Sequence, residues 1–266
     1  MDIVHDGFRS PPFKMSAELD RAILTPATTH DRFSWESLTA HATLVLPEYG
    51  SSIRTIVTGR RVITTGVYAS RKSGRAHPYE SMNERAFFMH CEVDTGIVDY
   101  RAQPFRFEFV IDGTKRAYIA DAVRLHSSGV VEVIEIKNDR RQLKDPDYTL
   151  KLQAVREACD SLGWQFRVIF KHDLWQPKPR FENIEDIQSW AFTDYATSDV
   201  FKAVQYLSTH ERASLGDVAD RLGCRPTGIA KLKAMVVGRI VHLDLDSKLD
   251  ADSLVTLVSD ASEVSQ

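Results

Sequence analysis

The run Val131, Glu132, Val133, Ile134, Glu135, Ile136, Lys137 has the β-branched content of a strand, and a strand turns alternate side chains to opposite faces. Glu135 and Lys137 therefore share a face with Val131 and Val133, a face otherwise composed for burial. Taking a carboxylate and an ammonium out of water costs on the order of several kcal/mol unless each finds a partner. A metal-dependent nuclease site gives both of them one. The same triplet also arises on a solvated edge strand, so the surrounding residues have to separate the two readings.

Three strand-like runs occupy residues 106–111, 116–125 and 130–137, with Asp112-Gly113 and Ser127-Ser128-Gly129 as the turns between them, which predicts an antiparallel meander. Asp121 falls on the second run, and a turn near Ser128 brings it beside Glu135. Two adjacent carboxylates repel unless a cation lies between them. Upstream, Ser81 reads as the N-cap of a helix over 82–93, with Glu84 closing a capping box and Asp94-Thr95-Gly96 ending it. Glu84 is then the third carboxylate, a role compatible with capping, and Glu80 is its competitor one turn earlier. A helix from Asp147 or Thr149 to about residue 162 and a strand over 164–170 follow. The predicted class is α/β, a restriction-endonuclease-like mixed sheet flanked by helices.

Hydrolysing a phosphodiester with Mg²⁺ needs oxygen ligands converging on the ion, an activated water, and positive charge near the developing negative charge. In this reading Asp121 and Glu135 ligate the metal, the Ile136 carbonyl and Glu84 complete the shell, and Lys137 orients the water or meets the charge. Mn²⁺ can replace Mg²⁺, since all of these ligands are hard oxygens. The nine histidines show no H-x-x-H spacing, which argues against zinc, and no glycine-rich phosphate loop is present.

The expected organisation is an N-terminal extension over 1–50, a nuclease domain over 51–175, a linker over 176–198 interrupted by Pro177 and Pro179, and a small C-terminal domain over 199–266. In that last part, helices over 199–209, 215–222 and 227–237 and a strand over 240–245 match a winged helix-turn-helix, which either contacts DNA or docks a protein. The net charge of -3 hides an asymmetry, because residues 50–78 hold no acid but include Arg71, Lys72 and Arg75. Those three, just ahead of the helix bearing Glu84, are candidate phosphate contacts. Three cysteines without short-range pairing suggest reduced thiols, and the chain shows neither a leader pattern nor a long apolar run, so a cytoplasmic protein off the membrane is expected.

The arrangement resembles the PD-(D/E)xK nuclease superfamily, with Asp121 and Glu135-Ile136-Lys137 on its signature. More narrowly, Glu80-Ser81-Met82-Asn83-Glu84-Arg85, the Arg101-Ala102-Gln103-Pro104 turn and Tyr118-Ile119-Ala120-Asp121 look like TnsA, the endonuclease subunit of heteromeric transposases. The resemblance runs over residues 70–170. It departs from the family at Ala120, where proline is usual, and at Ala122, where a bulkier residue is common. It implies catalytic roles for Glu84, Asp121, Glu135 and Lys137, and cleavage of the 5′ strand at transposon ends. It also implies two partners, a DDE-type transposase and an AAA+ ATPase regulator. Arg101 and Gln103 either position the active-site face or a phosphate, or serve a structural turn. Two rival readings are a stand-alone restriction or repair nuclease and an inactive winged-helix scaffold on DNA.

Overall fold

The fold was obtained as a computed structural model, which describes residues 15–29, 42–47, 52–53, 64–111, 113–210 and 212–258. It is a mixed α/β fold with several sheets. Residues 54–63 of the acid-free stretch lie outside the described residues.

A long hairpin organises the part of the chain around Val131–Lys137. One arm is β4 (Ile97–Ala102) continued by β5 (Arg106–Ile111), and the other is β6 (Thr114–Ile119) continued by β7 (Ala122–His126). Both arms bend at the same level, at residues 103–105 on one and at Ala120 and Asp121 on the other. Beyond the bend, β5 and β6 join β1 (Ala42–Val45) in one antiparallel sheet; before it, β4 and β7 join β8 (Val131–Lys137) and β9 (Gln165–Phe170) in the order β4-β7-β8-β9. The run expected as one strand over 116–125 is thus two strands in two sheets. The bend is built from backbone: Gln103 takes φ 42°, and its N–H donates to the Asp121 carbonyl at 3.0 Å. Strand β9 lies parallel to β8, so the chain crosses over through α3 (Pro146–Ser161), which Asp145 caps.

The alternation expected for β8 holds. Val131 and Val133 pack in the layer beneath α3, whereas Ile134 and Ile136 pack in the layer beneath α2 (Met82–Val93). Helix α2 has the expected bounds, with the Ser81 hydroxyl accepting the Glu84 N–H. Its other end is held by Lys72, whose ammonium donates to the Cys91 and Asp94 carbonyls at 2.7 and 2.6 Å. Between its ends, Glu92 is fully buried and accepts from the Ser70 hydroxyl, the Arg71 and Lys72 amides and the Tyr100 hydroxyl. That set of donors fixes the turn joining hairpin strands β2 (Gly66–Ala69) and β3 (Ala76–Tyr79) onto the helix.

The N-terminal region is not a loose extension where it is described. It supplies β1, and helix α1 (Glu18–Thr29) buries Leu19 and Ile23 on the sheet. The helix also explains why β4 carries buried charges. Arg101 forms a two-armed ion pair with Asp20, Nη2 lying 2.6 Å from Oδ2, and Asp99 accepts the Leu19 N–H at 3.4 Å. Burial, opposed by these donors and by Arg101, still raises the Asp99 pKa to about 6.

The segment expected as a linker is largely helical: α4 (Lys171–Trp175) is followed by α5 (Lys178–Gln188), which buries Phe181, Ile184 and Ile187 against α2. Pro177 and Pro179 interrupt nothing, since they stand at the N-cap and first turn of α5, where the missing N–H costs no helix bond. Helices α6 (Thr197–Thr209), α7 (Leu215–Ala219) and α8 (Arg225–Val237) follow, with β10 (Ala213–Ser214), β11 (Val241–Leu243) and β12 (Leu254–Leu257) in an antiparallel sheet of order β10-β12-β11. Gly228 lets α8 approach α7, because a Cβ there would lie 2.1 Å from the Ala219 carbonyl oxygen. The cores of this unit and of the α2 layer are continuous.

Replacing Leu19, which has no exposed surface, by Ala should lower the unfolding free energy by about 2–5 kcal/mol. Urea titration of the full chain checks this. Unchanged stability would mean that α1 is not part of the fold.

Candidate active site

The end of β8 and the hairpin bend meet because Asp121 makes two backbone contacts. Its carbonyl takes the Gln103 N–H, and its carboxylate oxygen Oδ2 takes the Ile136 N–H at 2.7 Å. The β7–β8 ladder stops at Ala122 opposite Ile134. The carboxylate thus replaces the missing strand partner, and its Oδ1 has no hydrogen-bond partner among the described residues. Continuing that register by one residue sets Asp121 across from Glu135.

Glu135 is 3% exposed. One of its oxygens accepts the Tyr118 hydroxyl from β6, and the other accepts the Tyr148 hydroxyl from α3 and the Lys137 ammonium. Lys137 also stands 4.9 Å from the centre of the Tyr148 ring. Burial, and then the charge of Glu135, raise both phenol pKa values, so each hydroxyl keeps its proton and donates. Tyr118 was visible in the sequence as part of the Y-x-x-D strand, but a role for it was not, and Tyr148 carried no signal at all. Both contacts cross between elements that local pattern cannot relate.

Glu84 comes from the first turn of α2. Its carboxylate accepts the Glu80 N–H at 2.9 Å and the Ser81 hydroxyl at 2.8 Å, so the capping role is real, and Glu80, whose carboxylate meets the Gln103 amide, lies outside the helix. A polar chain places this end of α2 beside the end of β8. The Trp175 indole donates to Asn83 at 2.9 Å, and Asn83 donates to Asn138, the residue after Lys137, at 2.8 Å.

Electrostatically the four expected residues form one site. Burial, then the charges of Glu135 and Glu84, push Asp121 well above the usual carboxylate range, against the pull of the Ile136 N–H and Lys137. Burial likewise raises Glu84, against its two capping donors and with help from Glu80 and Glu135. These three carboxylates, Glu135 raising both of the others, are hard oxygen donors that suit a divalent cation in charge and chemistry. Among the described residues no three Asp, Glu, His or Cys side chains close into a ready ligand cage.

The candidate phosphate contacts are placed differently. Arg71 donates to the Ala191 and Thr193 carbonyls and lies over the Tyr195 ring, Lys72 clamps the end of α2, and Arg75 and Arg101 both meet Asp20. Gln103 is buried, with its amide on Glu80 and its carbonyl oxygen accepting from Ser52. Of the two readings kept for Arg101 and Gln103, the structural turn is the one seen, and the physical reason is the docking of α1 and the bend. The basic segment at 71–75 likewise spends its donors inside the protein.

Residues 94–171 match the family model described as TnsA-like endonuclease N terminal. This stretch runs from the start of β4 through β9 and contains Asp121, Glu135 and Lys137, with Glu84 just ahead of it. No curated protein matches the chain.

Two outcomes follow from this geometry. Tyr118→Phe leaves the buried Glu135 carboxylate short of one donor and should cost about 1–3 kcal/mol of stability in urea titration; a smaller loss than that of an exposed Tyr→Phe control would refute the clamp on Glu135. For Asp121, the unfolded chain ionises near 3.8 and the folded chain higher, so the stability of the protonated form is lost as pH rises through the folded pKa. Asp121→Asn keeps an acceptor for the Ile136 N–H and removes the charge. With divalent ions chelated, its melting temperature should exceed that of the parent at about pH 7, with the gap closing toward about pH 4. A lower melting temperature at the neutral point would contradict the repulsion.

Proposed function

Starting from a TnsA-like endonuclease domain over residues 94–171, a nuclease type that works in transposition, we propose that the chain is the subunit that cuts the 5′ strand at transposon ends. It would act with a DDE-type transposase and an AAA+ ATPase regulator. The observation that carries this reading is that Glu84 from α2, Asp121 from the hairpin bend and Glu135 from β8 are coupled, the charge of Glu135 raising the pKa of both others, with Lys137 paired to Glu135.

Asp121 and Glu135 would hold a divalent ion, with Glu84 as the third carboxylate. The Ile136 carbonyl fits as a further oxygen. In an extended residue N–H and C=O leave the same edge, and the Ile136 N–H is directed at Asp121, beyond the end of β7. When bound, the cation supplies Lewis acidity and charge neutralisation at the scissile phosphate. Lys137, about a fifth exposed, sits between Glu135 and solvent, where its ammonium can meet charge building on the phosphate or orient the attacking water. Tyr118 and Tyr148 hold the Glu135 carboxylate in one orientation. Mg²⁺ is the expected ion, with Mn²⁺ able to replace it.

The C-terminal helices and sheet are read as a winged helix-turn-helix used for docking a protein rather than for reading DNA. Helix α8, the second of the pair, is buried over most of its surface, and its cations are paired: Arg225 with Asp220, Lys231 with Asp199 and Lys233 with Asp186. A helix that enters the major groove needs an exposed face with free donors.

Reconstituted with its transposase, regulator, Mg²⁺ and a transposon-end duplex, the protein should cut the 5′ strand. Lys137→Ala and Asp121→Ala should each reduce that cut by about 10²-fold or more while the 3′ cut persists. Cleavage of plain duplex by the isolated chain would favour a stand-alone nuclease instead. Undiminished 5′ cutting by both variants would reject the site.

A further inference from the structure

Three carboxylates repel a polyanion, so any nuclease built around them needs cations nearby to hold the phosphate backbone. Among the described residues, Arg71, Lys72, Arg75 and Arg101 do not provide them, because their donors are spent on Asp20, on α2 and on the segment at residues 191–193. Downstream the picture differs. Strand β8 runs directly into a 3-10 turn, Arg140–Leu143, and then Lys144. Arg140, Arg141 and Lys144 are exposed, and no carboxylate lies within ion-pair distance of any of them among the described residues. Arg140 has a ring contact, 5.7 Å from the centre of Phe170.

The turn is rigidly tied to the site. Asp139 and Asp145, the acids that flank it, are engaged as caps, accepting the Arg141 and Asp147 N–H groups at 2.7 and 3.0 Å. The Gln142 side chain accepts the Asn138 N–H at 2.7 Å, and Asn138 in turn receives Asn83 from the end of α2. Leu143 packs on the core under α3, and its carbonyl accepts the Thr149 hydroxyl at 2.8 Å. Two side chains of the turn therefore anchor it to the strand of Lys137 and the helix of Glu84, while three cations around them face solvent. A fixed array of free cations beside an acidic site is what a phosphodiester backbone requires. With a rise of about 2 Å per residue, the turn from Arg140 to Lys144 spans about 8 Å. Phosphates recur every ~3.4 Å of axis along one strand, so that length covers about two of them.

We infer that Arg140, Arg141 and Lys144 form a clamp for the phosphate backbone of duplex DNA, seating the strand to be cut against the site of Asp121, Glu135 and Lys137. The inference rests on the endonuclease reading above, and it adds the surface that binds the substrate.

The test uses the full chain with chelator present, so that binding is read without cleavage. Fluorescence anisotropy with a labelled duplex is measured across a salt series for the parent, for R140Q/R141Q/K144Q, and for K115Q/K178Q/K248Q, which removes the same charge from exposed sites elsewhere. The clamp variant should keep the parent's circular dichroism and melting temperature. It should bind about 10-fold or more weakly at about 0.1 M salt, with the slope of log K against log salt shallower by roughly 2 to 3, while the control variant stays near the parent. Parental affinity and slope in the clamp variant overturn the inference. So does an equal loss in the control, which would be an effect of net charge, and so does a parent that fails to bind duplex. Cleavage by the reconstituted parent with Mg²⁺ is scored separately, so the clamp can fail while the endonuclease reading stands.

Discussion

Asp121 is bound at both ends, by its carbonyl to the Gln103 N–H and by its carboxylate to the Ile136 N–H, and the nuclease part depends on those two bonds. The first pins the point where a long hairpin leaves one sheet for another. The second ties that point to the strand bearing Glu135 and Lys137. A left-handed Gln103 is an uncommon conformation for a residue with a side chain, all the more before a proline, and here its N–H is held on the Asp121 carbonyl and its amide side chain on Glu80. The bend and the site are one construction. A carboxylate in place of a ladder partner lets β7 end early and leaves one acidic oxygen without a protein partner beside Glu135.

The buried charges of β4 make sense only with α1 in place. Asp99 and Arg101 would be costly in a central strand, but the helix brings Asp20 and its own amide to them, while Leu19 and Ile23 supply apolar burial. The same logic holds for Glu92, a fully buried acid that three donors of the β2–β3 turn and the Tyr100 hydroxyl satisfy. In both places polar groups inside the protein join segments distant in sequence. The two layers that they join are the ones that carry Glu84 and Glu135.

This explains what could be read from the sequence and what could not. Helix α2 was legible to the residue because Ser81 and Glu84 mark its start and Asp94 its end, all locally. Strand β8, with its two faces, was legible from alternation, as were α3 and β9 from apolar spacing. Strand β4 was not, since a central strand with acid and arginine buried on it shows no period until its partner helix is known. Helix α1 was missed for the reciprocal reason, and α5 because prolines at a helix start look like a break. The division of residues 116–125 between two sheets has no local signal, because both halves favour strand and the bend is imposed by Gln103 from across the hairpin. Among the site residues, the four charged ones were legible as a pattern. The two tyrosines that orient Glu135 were not, because they reach it from a different sheet and from a helix.

Charge separates structural residues from those left for a substrate. The acid-free stretch at residues 50–78 offered candidate phosphate contacts, yet its described cations, like those of α8, are largely paired within the protein: Lys72 lies under the end of α2, where desolvation lowers its pKa to about 8, and Lys233 is held by Asp186. Density of basic residues along a chain therefore says little about where a polyanion binds. What matters is whether folding leaves the cation unspent, and this depends on which acids the tertiary structure brings to it. Around the carboxylate site Arg71 and Arg75, upstream of α2, are consumed in holding the segment at residues 191–193 and α1, whereas the turn after β8 uses its neutral residues for anchoring and its backbone amides for capping. The cations left over stand at the mouth of a site whose own charge would otherwise turn a phosphate backbone away.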